Sequence, residues 1–365
     1  MQYDMDTENR KQRVGTVRAQ LRSLGLDGLI LTKPENATYL TGFAGEDSWA
    51  IVTRTALYLV TDSRYTEQAE KECVDTKIFQ RPGAEPIAQA GGKFIRTLKG
   101  VKTLGVEKSI SVGMYEVLKK NARIPLKPVA GIVEEPREIK DKSEASVIRT
   151  AASIAAKAFG EILQQIVPGI TENELAGALD LEMRKLGAKN SFETIVAFGA
   201  NGSRPHHHPT QRKLKARDAI LIDFGARYQG YCSDITRSFA FGTPTSDYRA
   251  AYMVVQQAQA AAIAVAKAGV DLVEVDAAAR AVIRESGLPV YGHGTGHGIG
   301  LEIHENPFLK ETAVGKLKAG QILTIEPGIY IPGKLGIRLE DDILITETGC
   351  KIVTSDCPHV PILQR

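Results

Sequence analysis

The segment LIDFGARYQGYCSDITRSF constrains the fold more than any other part of the chain, because it is apolar and yet carries Asp223 and Asp234. Its two extended arms flank a turn near Tyr228 and Gln229, which predicts a β-hairpin. If the turn is centred between these two residues, the aspartates face each other across the strands with Cβ atoms about 5 Å apart. Apolar neighbours indicate partial burial, so the two carboxylates would repel each other unless a divalent cation were bound.

Two other interpretations of the hairpin are compatible with the same residues. In the first, one arm ends early and both carboxylates lie in water. In the second, Arg237 pairs with one of the aspartates and removes the need for a cation. The hairpin therefore suggests a metal site, and residues elsewhere in the chain have to distinguish the three interpretations.

All seven histidines follow residue 200, and six of them lie in two short segments. PHHHPT contains three, at positions 206 to 208, and YGHGTGHGIGLEIHENP contains three more. The second segment has glycine at every other position from 292 to 300, so it predicts a loop whose backbone approaches a neighbour closely rather than a helix. A single histidine is more often a surface or core residue than a ligand, but three so close together favour a functional role. These three are His293, His297 and His304.

Two glutamates follow in positions that need a partner. Glu326 stands at the end of an apolar strand, directly before Pro327, and is a candidate ligand or a turn carboxylate bonded to backbone amides. Strand alternation places Arg338, Glu340 and Asp342 on one face, which also allows a surface salt bridge between Arg338 and Glu340. Two aspartates, two glutamates and one imidazole are too oxygen-rich for a structural zinc site and suit a pair of divalent Mn, Co or Zn ions.

The order of predicted elements indicates two domains. Residues 1–132 alternate between helix and strand, which predicts a layered α/β domain with a mixed or parallel sheet. A charged stretch near 132–142 marks the boundary. Residues 140–365 mix antiparallel strands with helices, an α+β pattern, and Ser143 and Thr171 are predicted to be the N-caps of its first two helices.

Composition excludes several classes of protein. The net charge of +3 is a near-cancellation of 46 basic and 43 acidic residues, so it provides no electrostatic case for nucleic acid as a partner. No run of eighteen apolar residues predicts a membrane span, and the N-terminal residues have no apolar signal region. Four cysteines without a CxxC pair are typical of a reducing compartment, which predicts a cytosolic protein.

The ordered motifs DFG, DITR, HGTGHGIGLEIHE, IEPG and RLED resemble those of the aminopeptidase P and prolidase family of pita-bread metallopeptidases. ENATYLTGF and TDSRYTEQA extend the resemblance into the N-terminal half. It implies a creatinase/prolidase-like α/β domain, an α+β pita-bread catalytic domain, a homodimer, and peptide substrates that contain an Xaa-Pro bond.

The resemblance also implies a metal site with two divalent ions. Asp234 and Glu340 would bridge both ions, His297 and Glu326 would complete one site, and Asp223 would complete the other. The residue after His206 is commonly small in the family, so His207 and His208 are a departure that would narrow the pocket or move a substrate-binding role by one position. The implied substrate-binding residues are His206, His293, His304 and Arg338.

Two cations would lower the pKa of a bridging water toward about 7, and the resulting hydroxide would attack the carbonyl of the Xaa-Pro bond. An imidazolium of His304 or His293 would stabilise the oxyanion, and Glu326 would move a proton to the proline nitrogen. His206 would complete this set of catalytic and substrate-binding residues.

Other functions on the same fold remain open at this point. They are a methionine-aminopeptidase-like or general aminopeptidase, a metal-free creatinase-like hydrolase, and a non-catalytic binding protein. The N-terminal α/β domain favours the proline-specific branch over a methionine aminopeptidase. The sequence does not distinguish cleavage of dipeptides from cleavage of longer peptides.

Overall fold

A computed structural model describes residues 7–364 of the chain. Within them the chain divides between Arg137 and Glu138 into two compact units. The main hydrophobic core of the first unit includes Ile30 and Val106, and the second unit has two such cores, one around Phe159 and one around Leu323. None of the described helices has the length and apolar composition that crossing a membrane requires.

The first unit contains a six-stranded sheet in the order β4-β3-β2-β1-β5-β6. The β1–β5, β3–β4 and β5–β6 pairs are parallel and the other two are antiparallel, so the predicted α/β layer has a mixed sheet. Its strands are β1 (Gly28–Leu31), β2 (Trp49–Thr53), β3 (Leu57–Thr61), β4 (Lys77–Gln80), β5 (Leu104–Glu107) and β6 (Leu126–Val129). Its helices are α1 (Thr7–Ser23), α2 (Pro34–Thr41), α3 (Thr66–Glu72), α4 (Ile87–Ile95) and α5 (Val112–Ala122), and α6 (Glu134–Glu138) lies at the boundary.

Helix α2 is absent from the sequence-based prediction because no local capping side chain marks its start. The residue at its N-cap position, Lys33, makes no side-chain cap. Instead the buried carboxylate of Glu107 accepts the backbone N–H groups of Thr32 and Lys33 at 2.6 and 2.7 Å and the side-chain amide of Asn36 at 2.6 Å. A tertiary contact therefore fixes the two residues that lead into α2, rather than capping the free backbone N–H groups of its first turn.

The second unit packs helix pairs against two sheets that are antiparallel except for the parallel pair β12–β20. Helices α7 and α8 cover the sheet β20-β12-β9-β8, and α9 and α10 cover the sheet β14-β13-β15-β18-β19. The helices are α7 (Lys142–Ile162), α8 (Glu172–Lys185), α9 (Ser246–Val265) and α10 (Leu272–Glu285), with 3₁₀ turns at Leu163–Gln165 and Gly199–Ser203. The strands are β7 (Lys189–Asn190), β8 (Ile195–Phe198), β9 (Ala219–Phe224), β10 (Ala226–Tyr228), β11 (Tyr231–Cys232), β12 (Ile235–Phe241), β13 (Gly296–Gly298), β14 (Glu305–Leu309), β15 (Ile322–Ile325), β16 (Gly328–Ile331), β17 (Leu335–Arg338), β18 (Asp341–Ile345), β19 (Cys350–Ile352) and β20 (Ile362–Leu363).

One of the two predicted helix caps is correct and the other is displaced. Thr171 caps α8 and forms a reciprocal capping box with Glu174, as expected. The N-cap of α7 is Asp141 rather than Ser143, because the Asp141 carboxylate accepts the backbone N–H groups of Ser143 and Glu144 at 2.8 and 2.9 Å. Asp141 is an equally good cap and its partner Glu144 stands at the correct spacing, which sets the helix start two residues earlier.

The predicted register of the aspartate hairpin is wrong by two residues, because the turn is centred one residue later than expected. The turn is formed by Gln229 and Gly230, both with positive φ (47° and 87°), the geometry that two-residue hairpin turns favour. Asp223 therefore pairs with Thr236 instead of Asp234. Because the observed register differs from the predicted one by an even number of residues, both carboxylates stay on the same side of the hairpin.

The glycine-rich segment contains the short central strand β13 rather than only a loop. β13 lies between β14 and β15 in the sheet. A Cβ atom at Gly296 would lie 1.9 Å from the carbonyl oxygen of Thr324, so only glycine permits this approach of the two strands. The close approach places His297, at the centre of β13, beside the end of β15.

Candidate metal centre

Five acidic or imidazole side chains reach one region of the second unit from separate strands. Asp223 lies in β9, and Asp234 directly precedes β12. His297 is the central residue of β13, and Glu326 directly follows β15. Glu340 lies between β17 and β18, where it forms an isolated bridge to Thr236 of β12. Adjacent strand ends thus bring together residues that are more than one hundred positions apart in sequence.

Three of these side chains are close enough to share one metal ion. Ligand atoms of Asp234, His297 and Glu340 all lie within 4.8 Å of one another. The His297 Nε2 atom is 3.7 Å from Asp234 Oδ2 and 3.5 Å from Glu326 Oε1, so Glu326 adjoins the same group. Asp223 is outside this trio but lines the same pocket, and its charge raises the pKa values of the other carboxylates.

The protein itself leaves this cluster electrostatically unsatisfied. Among residues 7–364, no hydrogen-bond partner lies next to Asp223 Oδ1 or Asp234 Oδ1, although both atoms are buried. Burial, reinforced by the neighbouring carboxylates, raises the pKa values of Asp234 and Glu340 well above their usual range. Burial also raises the pKa of Glu326 to about 7, although Arg338 opposes the change. Divalent cations would remove this repulsion and use the unpaired oxygens, so the residues fit a metal site.

Neighbouring residues orient the candidate ligands, and sequence reasoning assigned them no such role. Thr236 donates its hydroxyl to Glu340 Oε2 at 2.6 Å. Thr324 Oγ1 accepts the backbone N–H of His297 at 3.1 Å. Asp342 Oδ2 accepts the backbone N–H of Asp234 at 3.0 Å. Of these three residues, only Asp342 could be identified from the sequence, because strand alternation places it on the same strand face as Glu340.

The hairpin aspartates are not explained by solvation or by Arg237. Asp223 and Asp234 are only 8% and 5% exposed. Arg237 points away from them and pairs with Asp341 at 2.8 Å, while its Nη1 donates to the carbonyl oxygen of Glu340 at 2.7 Å. Both alternative interpretations of the hairpin are therefore wrong. The two carboxylates are buried rather than solvated, and Arg237 pairs with Asp341 rather than with Asp223 or Asp234.

Arg338 is a buried partner of Asp223 rather than a surface partner of Glu340. Its guanidinium bonds directly to Asp223 Oδ2, to the Tyr330 hydroxyl at 2.9 Å and to Thr236 Oγ1 at 3.0 Å. Only 3% of the residue is exposed. The surface salt bridge suggested by strand alternation is thus wrong, because β17 turns Arg338 toward the pocket.

We expect Arg338→Met to destabilise the metal-free protein by about 3–5 kcal/mol, because it leaves the buried carboxylate of Asp223 without its cation. The free energy of unfolding, measured with a denaturant in the presence of a chelator, tests this. The double variant Asp223→Asn/Arg338→Met is expected to regain part of the lost free energy of unfolding, because both charges are removed and no unpaired buried charge remains. A single variant within about 0.5 kcal/mol of the wild type contradicts the pairing.

The pocket above the cluster has a volume of about 420 Å³, a size typical of small-ligand sites. His206 and His304 are exposed in it, and His293 is partly buried. The ring of His304 lies edge-on to His297 with centroids 4.4 Å apart. The predicted substrate-binding residues therefore line one cavity together with Arg338.

The predicted imidazolium is not supported for His293. Burial, with a contribution from Arg338, lowers its pKa to about 4, so the ring is neutral near pH 7. Its Nδ1 lies 2.7 Å from the carbonyl oxygen of Gly294 and its Nε2 lies 3.0 Å from the Tyr330 hydroxyl, so the protein engages both ring nitrogens. Burial also lowers the pKa of His304. Both histidines would therefore act as neutral groups.

A buried pair on α10 holds the backbone that carries His293. Arg280 donates to the carbonyl oxygens of Tyr291 and His293 at 2.8 and 2.6 Å, and to Asp276 at 2.7 Å. Asp276 in turn accepts the hydroxyl of Thr295 at 2.7 Å. The spacing of four residues between Asp276 and Arg280 is a helical signal that the sequence analysis did not use.

The three histidines of PHHHPT occupy different environments. All three border the pocket, but His206 is exposed in it, whereas His207 is 4% exposed and its Nε2 lies 2.9 Å from Glu172 Oε2. His208 is at the surface, 3.3 Å from Glu193. The idea that the substrate-binding role moves to His207 is therefore disfavoured, because Glu172 already engages its ring.

Comparison with known proteins agrees with the fold. Residues 13–139 match the creatinase/prolidase N-terminal domain, and residues 146–347 match metallopeptidase family M24. Together with the buried carboxylate and histidine cluster, these matches define the class as a pita-bread metalloenzyme with a creatinase-type N-terminal domain. The chain belongs to metallopeptidase family M24, which confirms the predicted family and the predicted pita-bread fold.

Similar proteins cover nearly the whole chain. A curated Xaa-Pro dipeptidase of Pyrococcus horikoshii is 35% identical, over 90% of this chain and 93% of its own. The structure of an Xaa-Pro dipeptidase from Bacillus anthracis is 38% identical with a TM-score of 0.92, covering 97% of this chain and 100% of that one. The structure of an X-Pro aminopeptidase from Thermotoga maritima is 36% identical with a TM-score of 0.86, covering 95% of this chain and 100% of that one.

Proposed function

We propose that this metallopeptidase is a dinuclear exopeptidase that hydrolyses Xaa-Pro bonds, either at the N-terminus of peptides or in dipeptides. The observation that carries the proposal is the buried, unsatisfied carboxylate and histidine cluster beneath a cavity of about 420 Å³. The similarity to an Xaa-Pro dipeptidase and an X-Pro aminopeptidase supports the substrate class.

Two divalent ions, Mn, Co or Zn, are the proposed cofactors. Four carboxylates and one imidazole would hold them, and a charge of about +4 would balance the four carboxylates. When bound, such ions supply a water of lowered pKa as the nucleophile and a Lewis acid for the carbonyl. The proposed ligands are Asp223, Asp234, His297, Glu326 and Glu340.

The surrounding side chains have separate proposed tasks. Glu326 lies beside His297 and within 3.8 Å of His293, and it would carry the proton that the proline nitrogen needs in order to leave. His304 would donate a hydrogen bond to the carbonyl oxygen as a neutral imidazole. His206 and Arg338 would bind the rest of the peptide from the pocket wall.

Selectivity for proline would arise from the bond itself and from the shape of the pocket. The nitrogen of an Xaa-Pro bond carries no hydrogen, so the site need not accept an N–H group there. Apolar side chains provide contact area for the pyrrolidine ring and for the preceding residue. These are Phe192, Ile195, Ile303 and Phe308.

Several predictions about the cellular form of the enzyme accompany this proposal. We propose that the enzyme is a cytosolic homodimer that binds Xaa-Pro peptides. We also propose that its catalytic domain spans residues 140–365 and follows an N-terminal domain of residues 1–132. Size-exclusion chromatography with light scattering tests the dimer directly. A particle with the mass of one chain contradicts it.

A substrate panel tests the proposed activity. Metal-stripped protein is assayed with Xaa-Pro dipeptides, Xaa-Pro-Yaa peptides and peptides with N-terminal Met, with and without Mn(II). We expect turnover of Xaa-Pro substrates only, and only with metal. Cleavage of dipeptides alone identifies a prolidase, and cleavage of longer peptides identifies an aminopeptidase P. Turnover of the Met peptides alone, or of no peptide, contradicts the proposal.

A further inference from the structure

We propose that Glu172 and His207 form a positioning pair that holds the segment carrying His206 in place at the substrate pocket. This inference rests on the proposed function, because it assigns the binding geometry of His206 to two residues that lie behind it. His207 would then not be a substrate ligand, although it belongs to a run of three histidines.

Glu172 begins helix α8 and is fully buried. One carboxylate oxygen accepts the backbone N–H of Phe198 and the side-chain amide of Asn201, both at 2.8 Å. The other accepts the ring of His207 at 2.9 Å, and the backbone N–H and hydroxyl of Thr210 at 3.0 and 2.6 Å. All five donors come from one stretch of chain, which surrounds His206 on both sides.

The carboxylate of Glu172 is ionised despite its burial. Burial alone raises its pKa, but the hydrogen bonds from His207, Thr210, Asn201 and Phe198 outweigh that effect and the net pKa is lowered. A carboxylate only accepts hydrogen bonds, so the Nε2 atom of His207 carries a proton and the tautomer of the ring is set. A hydrogen bond to a buried charge of this kind is among the stronger ones in proteins.

The position of His207 determines where its neighbour points. The backbone N–H of His207 donates to the carbonyl oxygen of Arg204 at 3.1 Å, and Arg338 reaches the carbonyl oxygen of Pro205 at 3.4 Å. Both residues border the pocket. The ring nitrogen Nε2 of His207 is held on Glu172 and the residue is 4% exposed, whereas the adjacent His206 is exposed in the pocket. His206 lines the same pocket as His293 and His304.

Kinetics of three variants test the positioning role. His207→Leu keeps the bulk of the ring and removes the donor, so we expect KM for an Xaa-Pro substrate to rise about tenfold or more while kcat changes less. Glu172→Gln is expected to act in the same direction. His207→Gln keeps a donor of similar reach and is expected to recover most of the loss. Glu182→Gln, on the same helix α8 with Lys185 as its partner, is the control and leaves KM unchanged.

A measurement independent of turnover separates this inference from the proposed function. The ring ¹⁵N resonances of His206, assigned with His206→Gln, are expected to shift or broaden in His207→Leu and to return in His207→Gln. Metal content per chain is expected to match the wild type in all variants. A wild type without peptidase activity contradicts the proposed function, whereas unchanged KM and unchanged His206 signals in His207→Leu contradict the positioning role.

Discussion

Asp234→Asn is expected to lower kcat/KM for Xaa-Pro substrates by at least about 100-fold and to reduce the metal content of the protein. Loss of a group that only orients a metal ligand typically costs 10–100-fold in affinity or activity, so loss of a ligand itself costs more. The amide has one acceptor oxygen and no charge, and Asp234 is one of the three residues, with His297 and Glu340, whose ligand atoms lie within 4.8 Å of one another. Metal analysis of dialysed protein and steady-state kinetics measure the two effects.

The same substitution is not expected to destabilise the metal-free protein. Burial and the charges of Glu340 and Asp223 disfavour an ionised Asp234, so a neutral amide relieves the repulsion. The free energy of unfolding in chelator should therefore equal or exceed that of the wild type, which shows that lost activity is not lost folding. Asp356→Asn, at an exposed site, is the control. Wild-type metal content and turnover in Asp234→Asn would overturn the proposed centre.

Removing the metal is expected to abolish turnover and to lower the thermal stability of the second unit. Cations that bind the folded state but not the unfolded chain stabilise it by about 2.7 kcal/mol at a concentration 100-fold above Kd. For a unit of this size that corresponds to a rise in Tm of roughly 5–10 °C. The physical reason is the cluster of buried carboxylates, which repel one another without a counter-charge.

Differential scanning calorimetry of stripped protein with increasing Mn(II), Co(II) or Zn(II) measures this stabilisation. We expect Tm to rise with metal concentration in the wild type and much less in Asp234→Asn. Activity should return over the same concentration range. Full activity in the stripped protein, or a Tm that does not change with any of the three metals, would contradict the prediction that bound cations stabilise these carboxylates.

The aspartate hairpin shows which structural features the local sequence pattern predicts in this chain and which it does not. Alternation predicted both strands and the common side of Asp223 and Asp234, because strand periodicity is a local property. The register was displaced because the turn uses Gln229 and Gly230, whose backbone conformations are not visible in residue types alone. Because the register is displaced by an even number of residues, both carboxylates stay on one side of the hairpin, and the inference of a metal site is unchanged.

Arg338 shows where local pattern fails. Sequence spacing offered Glu340 as its partner, two positions away on the same strand face. The guanidinium instead bonds to Asp223, which lies more than one hundred residues earlier in the chain. The partner of a buried charge is chosen by the packing of sheets, and no periodicity within either strand encodes that choice. Helix α2 is missed for a related reason, because the residues that lead into it are held by Glu107, 74 positions after Lys33.

Local periodicity and ordered motifs were sufficient to predict most helices and strands, the α/β and α+β character of the two halves, and the family, although helix α2 and strand β13 were missed. Tertiary structure alone decided which buried polar groups meet: the trio of Asp234, His297 and Glu340, and the contact of His207 with Glu172. Buried charges need partners at hydrogen-bond distance, and only the folded backbone brings such distant residues within that range.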